Sequence, residues 1–390
     1  MSLAGALASN TNRTQASVVA GAIAAGLLVA GLSAQAAGWR QAALSLVGFG
    51  AGIALYHASF GFTSAWRRYL GERRSRGIRA QIIMIGATML VSFPLLALGN
   101  FGGIAISGFV NPVGMALCVG AFIFGIGMQL GGGCGSGTLY TAGGGSTRMM
   151  VTLTAFIVGS LFATADPLSW SSWPAYQGGS LVEALGGTIA LLVAGAILGS
   201  LYLLLNFLEQ RKHGDVQPLV EATKSDALRG PWPLLAGALA LALINIATFM
   251  LAGRPWGITT AFALWGAKLA ALGGLDVAAW PYWQGDASLS SGLFMDVTSV
   301  MNFGLMLGAL AAAGLAGKFA PQSRLPWRSL AAAVLGGLIM GVGARLATGC
   351  NIGALFSGAA SGSLHAVVWL IFAVAGNWIG ARFRPAFRLD

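Results

Sequence analysis

Apolar positions in this chain come in long blocks, not with the 3.6-residue period of a one-faced helix or the alternation of a half-buried strand. Blocks of roughly 20 residues separated by short polar breaks are the pattern of helices that cross a hydrocarbon layer. The first block, 16–37, is long for the core of a cleavable signal peptide, although Ser33-Ala34-Gln35-Ala36 at its end resembles a cleavage site, and it reads as a first transmembrane helix. Four further blocks form two hairpins, 113–130 with 147–165 and 329–347 with 363–381, each bent around a glycine-rich turn. Two shorter helices begin near Phe62 and Thr259. The expected architecture is an all-α polytopic membrane protein with about nine transmembrane helices plus short re-entrant helices and loops.

Composition enforces that reading. Of 390 residues, 56% are hydrophobic and only 8% are charged, against roughly 25% charged in a soluble domain. A water-soluble fold of this length is excluded, because the polar side chains present cannot cover its surface. The net charge of +11 has a simpler source than nucleic acid, since cytoplasmic loops collect Lys and Arg during insertion. Arg67, Arg68, Arg73, Arg74, Arg76 and Arg79 form one basic cluster, and the breaks at 209–230, at 317–328 and at the tail are also basic or mixed. These four are expected inside. The breaks at 164–183 and 273–296 carry acids without any Lys or Arg, together with interface aromatics such as Trp173 and Trp280, and are expected outside.

An internal match at a separation of 216 residues organises the chain: Gly125-Ile-Gly-Met-Gln-Leu-Gly-Gly-Gly-Cys134-Gly aligns without a gap on Gly341-Val-Gly-Ala-Arg-Leu-Ala-Thr-Gly-Cys350-Asn. A fainter match pairs Gly61-Phe-Thr-Ser-Ala-Trp66 with Gly257-Ile-Thr-Thr-Ala-Phe262. The first cysteine hairpin ends in an acidic break, the second starts and ends in basic ones, so the two copies point opposite ways across the bilayer. The division predicted is a first half at 1–208, a linker at 209–230 and a second half at 231–390, forming an hourglass. Inverted repeats of this kind bring broken helices together near the midplane, where a transporter binds its substrate.

Candidate chemistry gathers at those turns. Cys134 and Cys350 occupy equivalent positions, and Gly133, Gly135 and Gly349 allow close backbone approach, which leaves N–H groups and helix N-termini aimed at an anion. Asn351 follows the second cysteine. Arg345 lies at membrane depth with no acidic partner nearby in sequence, and its repeat counterpart is Gln129. Thr63, Ser64, Thr259 and Thr260 offer hydroxyls at the starts of the two short helices, as caps or as donors to an oxyanion. Cys118, without a repeat partner, reads as packing, and His57 as an interfacial hydrogen-bonder. No His, Met or further Cys stands at a ligand spacing, so a metal site is not expected. No cofactor motif, phosphate loop or nucleophile–base pair appears, and the chain is not read as an enzyme.

Gly341-Val-Gly-Ala-Arg-Leu-Ala-Thr-Gly-Cys350-Asn, Gly131-Gly-Gly-Cys134-Gly-Ser-Gly and Phe62-Thr-Ser-Ala resemble the YeeE/YedE family of bacterial inner-membrane sulfur transporters. The resemblance implies an hourglass of inverted halves, thiosulfate or a related sulfur oxyanion as substrate, and passage along cysteine thiols at Cys134 and Cys350. One position departs: where the family commonly has Phe-Cys-Phe-Thr-Ser-Ala, this chain has Gly61. Thiosulfate is a dianion with one soft sulfur and three hard oxygens, so thiols must be neutral and hard donors must accompany them. Alternatives are a selenium or neutral sulfur compound as cargo, or a membrane sulfurtransferase or thiol redox enzyme using the same cysteines. The expected partners are the sulfur anion, the bilayer and a cytoplasmic sulfur-handling protein, with no role for nucleic acid.

Overall fold

The computed structural model describes residues 14–220 and 226–389. Arg13, Glu221 and Lys224, counted above among the charges, lie outside the described residues. Ten helical segments among those described are long and apolar enough to cross a membrane, and the chain is a multi-pass, all-α membrane protein with only two-residue strands beside its helices.

The first of the ten is α1 (Ala16–Ala37), so the apolar block at the start is a helix. It is tied to the bundle at its entry: the Gln15 amide donates to the Gly314 carbonyl at 2.8 Å, and its side chain to the Phe319 carbonyl at 2.9 Å. There follow α2 (Trp39–His57), the short α3 (Phe62–Glu72), α4 (Arg76–Leu98) and α5 (Met115–Gly131). Next come the short α6 (Gly135–Gly143), α7 (Thr147–Thr164), the single turn α8 (Leu181–Leu185) and α9 (Gly187–His213). The C-terminal part holds α10 (Leu234–Ala252), the short α11 (Thr259–Leu272), α12 (Val297–Leu315) and α13 (Trp327–Leu346). A π-helical turn (Asn351–Ser357) and α14 (Leu364–Phe383) complete it.

The helix contacts carry the duplication seen in the sequence. The helix α2 packs on α12, and α10 packs on α4; α5 packs on α14, and α13 on α7; α3 lies against α14, and α11 against α7. Exchanging α2–α5 and α7 for α10–α14 turns each contact of a pair into the other. Two further contacts, α5 with α13 and α2 with α10, map on themselves.

Helices in lipid gain nothing from excluding water between them, so close packing must supply the attraction, and small residues permit it. That is where many of the 59 glycines go. A Cβ at Gly308 would stand 1.9 Å from the Phe49 carbonyl oxygen between α12 and α2, and one at Gly376 the same distance from the Phe122 carbonyl oxygen between α14 and α5. Any side chain there would push the helices apart.

The acidic loops fold over one end of the bundle. Strand β1 (Asn100–Phe101) pairs with β2 (Ile104–Ala105), and β3 (Val113–Gly114) with β4 (Ala175–Tyr176), the latter fastening the 164–186 loop to the start of α5. Trp173 and Trp280 each close a 3-10 turn with similar backbone angles (φ −67°, ψ 148° and φ −71°, ψ 138°). The hexapeptides Trp173-Pro-Ala-Tyr-Gln-Gly and Trp280-Pro-Tyr-Trp-Gln-Gly are similar in sequence, yet beyond the shared proline they diverge, one into β4 and the other into a second 3-10 turn at Pro281–Trp283.

At the basic end, α9 continues past Glu209 to His213, so the segment read as a linker begins with a helical turn. Glu209 is fully buried and accepts from the Ser75 amide (3.0 Å), the Ser75 hydroxyl (2.5 Å) and the Gln217 amide (3.2 Å). Arg74 and Arg79 stand at 3.3 Å and 3.5 Å from its oxygens. Removing one member of a buried ion pair leaves the other uncompensated, at a cost of about 3–5 kcal/mol. Glu209→Ala is therefore expected to lower the thermal unfolding midpoint of the detergent-solubilised protein by several degrees, and an unchanged midpoint would contradict the role given to this carboxylate.

Candidate functional site

The two glycine-rich turns meet in the interior. Cys134 is the N-cap of α6, and Cys350 that of the π-helical turn, both in extended backbone conformation with ψ −168°. Both thiols are buried, at 1% and 0% exposure. The backbone amides of Ile352 and Gly353 of its own turn, and of Gly135 of the other one, lie close to the Cys350 sulfur. The Cys134 sulfur lies 3.4 Å from the Ser136 hydroxyl and faces the amides of Ser136 and Gly137. Two short helices thus present their first N–H groups, and a thiol each, to a common point. The partial positive charge of a helix N-terminus makes such a point favourable for an anion.

Glycine is needed on both sides of the junction. Gly132, with φ 91°, ends α5 in the left-handed region, and Gly349 has φ 155°. A Cβ on Gly135 would stand 3.0 Å from the Cys350 sulfur and 3.2 Å from the Thr259 methyl, so any side chain here intrudes on the space between the turns. Gly133 packs against the backbone of Gly137 and Thr138.

Arg345 reaches the junction from α13. It is 5% exposed, donates to the Thr259 hydroxyl at 2.9 Å and to the Tyr282 hydroxyl at 3.0 Å, and leaves its Nε without a partner. No carboxylate pairs with it among the described residues. Asn351, fully buried beside Cys350, has neither its amide nitrogen nor its oxygen bonded, and the Thr138 hydroxyl one turn beyond Cys134 is also unbonded. Buried polar groups left without partners cost free energy, and this cluster beside two thiols offers donors and an acceptor that a polar ligand could use.

The broken backbone that brings α11 here is held by buried amides and hydroxyls. Asn245 accepts from the Trp256 amide at 2.8 Å, Ser357 donates to the Trp256 carbonyl at 2.6 Å, and Asn302 donates to the Ile258 carbonyl at 2.9 Å. Non-helical chain at membrane depth requires such satisfaction. Polar residues in these apolar helices went unremarked in the sequence, because their partners belong to a break visible only in three dimensions. Tyr282 and Thr138 were likewise missed, and for Tyr282 the sequence carries no signal.

Of the residues expected at the site, Cys134, Cys350, Gly133, Gly135, Gly349, Asn351, Arg345 and Thr259 lie on or beside the junction. Thr260 does not share it: its side chain faces Thr298 at 3.2 Å on α12. Thr63 and Ser64 start α3. The Thr63 carbonyl accepts from Gln129 at 3.3 Å, and the Ser64 hydroxyl donates to the Gly61 carbonyl at 3.2 Å. The two sequence repeats therefore converge: Gln129 touches Thr63 as its counterpart Arg345 touches Thr259, the counterpart of Thr63.

In the sequence Arg148, Arg254 and Lys268 also read as positive charge near the broken helices; Arg254 donates to the Thr298 hydroxyl at 3.3 Å, and the other two are engaged elsewhere. Arg148 donates to the Gly131 and Leu130 carbonyls at 2.7 Å and 2.6 Å and so caps α5, and Lys268 donates to the Leu289 and Ser291 carbonyls at 2.7 Å and 2.6 Å. Cys118 is half-buried on α5.

Comparison with known proteins places the chain in a family. The family described as Sulphur transport matches residues 57–379. Two proteins named probable transporter YedE, from Escherichia coli K12 and Salmonella typhimurium LT2, are 34% and 33% identical over 163 residues, 40% of this chain. The chain covers 40% of the length of each of those two relatives. A protein named thiosulfate transporter TsuA, from Spirochaeta thermophila, is 26% identical over 355 residues, 85% of this chain and 96% of the relative.

Proposed function

The chain belongs to the Sulphur transport family, and from that premise we propose that it takes up thiosulfate, or a closely related sulfur oxyanion, between the Cys134 and Cys350 turns. It acts as a transporter and not as an enzyme, in the inner membrane of a bacterial cell. The observation that carries this reading is the junction itself: two buried thiols on two helix N-termini, with an arginine that lacks a carboxylate and an asparagine whose side chain lacks a partner among the described residues. Soft sulfur meets soft thiols, while the hard oxygens meet N–H, hydroxyl and guanidinium donors. The relative named thiosulfate transporter TsuA, matched over 96% of its length, supports the choice of cargo.

In this reading Cys134 and Cys350 face the passing anion, and Gly133, Gly135 and Gly349 let the backbone come close to it. Arg345, seated by Thr259 and Tyr282, supplies the charge on one side of the junction, and Asn351 completes the donor set. Ser64 lines the continuation of the path under α3 and Thr63 is buried behind it at the helix start, whereas Thr260 belongs to the α11–α12 contact. The exchange symmetry of the helix contacts supports two inverted halves, 1–208 and 231–390, joined by 209–230. Basic loops retained on the inside place α3 and the Arg67–Arg79 loop at the cytoplasmic end, where a sulfur-handling protein could receive the cargo.

Expression in a bacterium that lacks its own sulfate and thiosulfate uptake tests the proposal. Growth on thiosulfate as sole sulfur source is expected with this chain and not without it. Failure to grow, with the protein present in the membrane, would refute the assignment of cargo.

A further inference from the structure

Below α3, at the basic end, a cavity of about 350 Å³ is lined by His57, Gly61, Ser64, Arg68, Arg74 and Arg76, among others. Among the described residues its lining holds three arginines and a histidine and no carboxylate. Gly61 is the N-cap of α3, which runs for 11 residues, and no side chain caps the helix start that opens here. Arg74 is fixed in place by Asp215 at 2.9 Å and by Glu209 at 3.3 Å, while Arg68 is exposed.

The histidine supplies the independent observation. His57 is 3% exposed, and its ring packs on Trp232 with centroids 5.5 Å apart. Its Nε2 has no partner. The charges that act on the ring from outside the cavity are Asp226 and Lys318. The cavity thus joins guanidinium groups with an imidazole that has an unpartnered nitrogen, a setting that favours an anion.

We propose that this cavity is a second anion site, separate from the cysteine junction, which holds a divalent tetrahedral oxyanion on the inner side through hard donors alone. The cavity has no thiol, so it offers the terminal sulfur of thiosulfate nothing that it does not offer the fourth oxygen of sulfate. Selection for the soft sulfur is then confined to the cysteine junction, and the inner site accepts both ions alike. The assignment rests on the transport reading for which anion arrives there; the site itself follows from the cavity.

Calorimetric titration of sodium sulfate and of sodium thiosulfate into the full chain tests this, in nanodiscs of uncharged phosphatidylcholine at low ionic strength. Sulfate is expected to bind. Arg68→Gln and His57→Leu are each expected to weaken it about tenfold, the worth of one charge-assisted hydrogen bond, and Cys134→Ala/Cys350→Ala to leave it unchanged. Absence of sulfate binding, indifference to both cavity variants, or loss in the cysteine variant would overturn the proposal. So would binding that appears only when phosphatidylglycerol is withheld from discs otherwise occupied by it, since a lipid headgroup would then be the occupant. Sulfate bound at the cavity by a protein that moves no thiosulfate would leave this site standing and remove the transport reading; thiosulfate uptake without sulfate binding would do the reverse.

Discussion

Gly135→Val is expected to lower the initial rate of thiosulfate uptake by at least about a hundredfold, which corresponds to roughly 2.7 kcal/mol on the transport barrier. The cause is local. A Cβ at this position already stands 3.0 Å from the Cys350 sulfur and 3.2 Å from the Thr259 methyl, and valine adds two methyl groups beyond it. Gly135 is the first residue of α6, with a backbone that other residue types adopt, so the substitution blocks the space between the turns without demanding a forbidden backbone angle. Overpacking of this kind costs about 1–3 kcal/mol of stability, which a ten-helix bundle survives. The variant should therefore elute as a folded protein from gel filtration while its flux is lost. A folded variant that retains uptake within a few fold of the parent would show that the anion passes elsewhere.

Arg345→Gln is expected to reduce uptake by about tenfold to a hundredfold, because hydrogen bonds to a charged group are worth about 1.5–3 kcal/mol. Glutamine can still reach the Thr259 hydroxyl, so the fold of the α11 start is kept and the loss reports on charge. Arg345→Lys restores the charge without the planar fork that spans Thr259 and Tyr282, and should recover only part of the rate. Because Arg345 has no carboxylate partner among the described residues, its removal orphans no buried acid. Thermal stability of Arg345→Gln should thus stay close to the parent, in contrast to Glu209→Ala. Full uptake by Arg345→Gln would mean that the guanidinium serves the fold and not the anion.

Much of this site is legible in the sequence because it was written twice. The match of Cys134 on Cys350 located the junction, and the match of Gln129 on Arg345 and of Thr63 on Thr259 named residues that do touch within each copy. The apolar blocks sufficed for the class of fold, since a membrane span is a composition effect that needs no knowledge of partners. What the sequence could not show depends on which helix faces which. Arg148 and Lys268 read as positive charge near a pore, yet both are spent on backbone carbonyls, one at a helix end and one in a loop. Thr260 sits next to Thr259 in the chain, and one step along a helix turns a side chain by about 100°, which carries it to α12. Glu209 looked like one more charge in a polar break; its burial requires the Ser75 turn and the Gln217 loop to close around it. Asn245, Ser357 and Asn302 are lone polar residues in apolar stretches, meaningful only once a broken helix is placed beside them.

The central claim is that a sulfur oxyanion crosses this protein between two cysteine thiols. Its most direct test is the flux of radiolabelled thiosulfate into proteoliposomes containing the purified chain, compared with Cys134→Ala/Cys350→Ala at equal incorporation. The account predicts saturable uptake by the parent protein, competed by unlabelled thiosulfate more strongly than by sulfate, and flux near that of empty liposomes for the double variant. Equal flux through both proteins would contradict it.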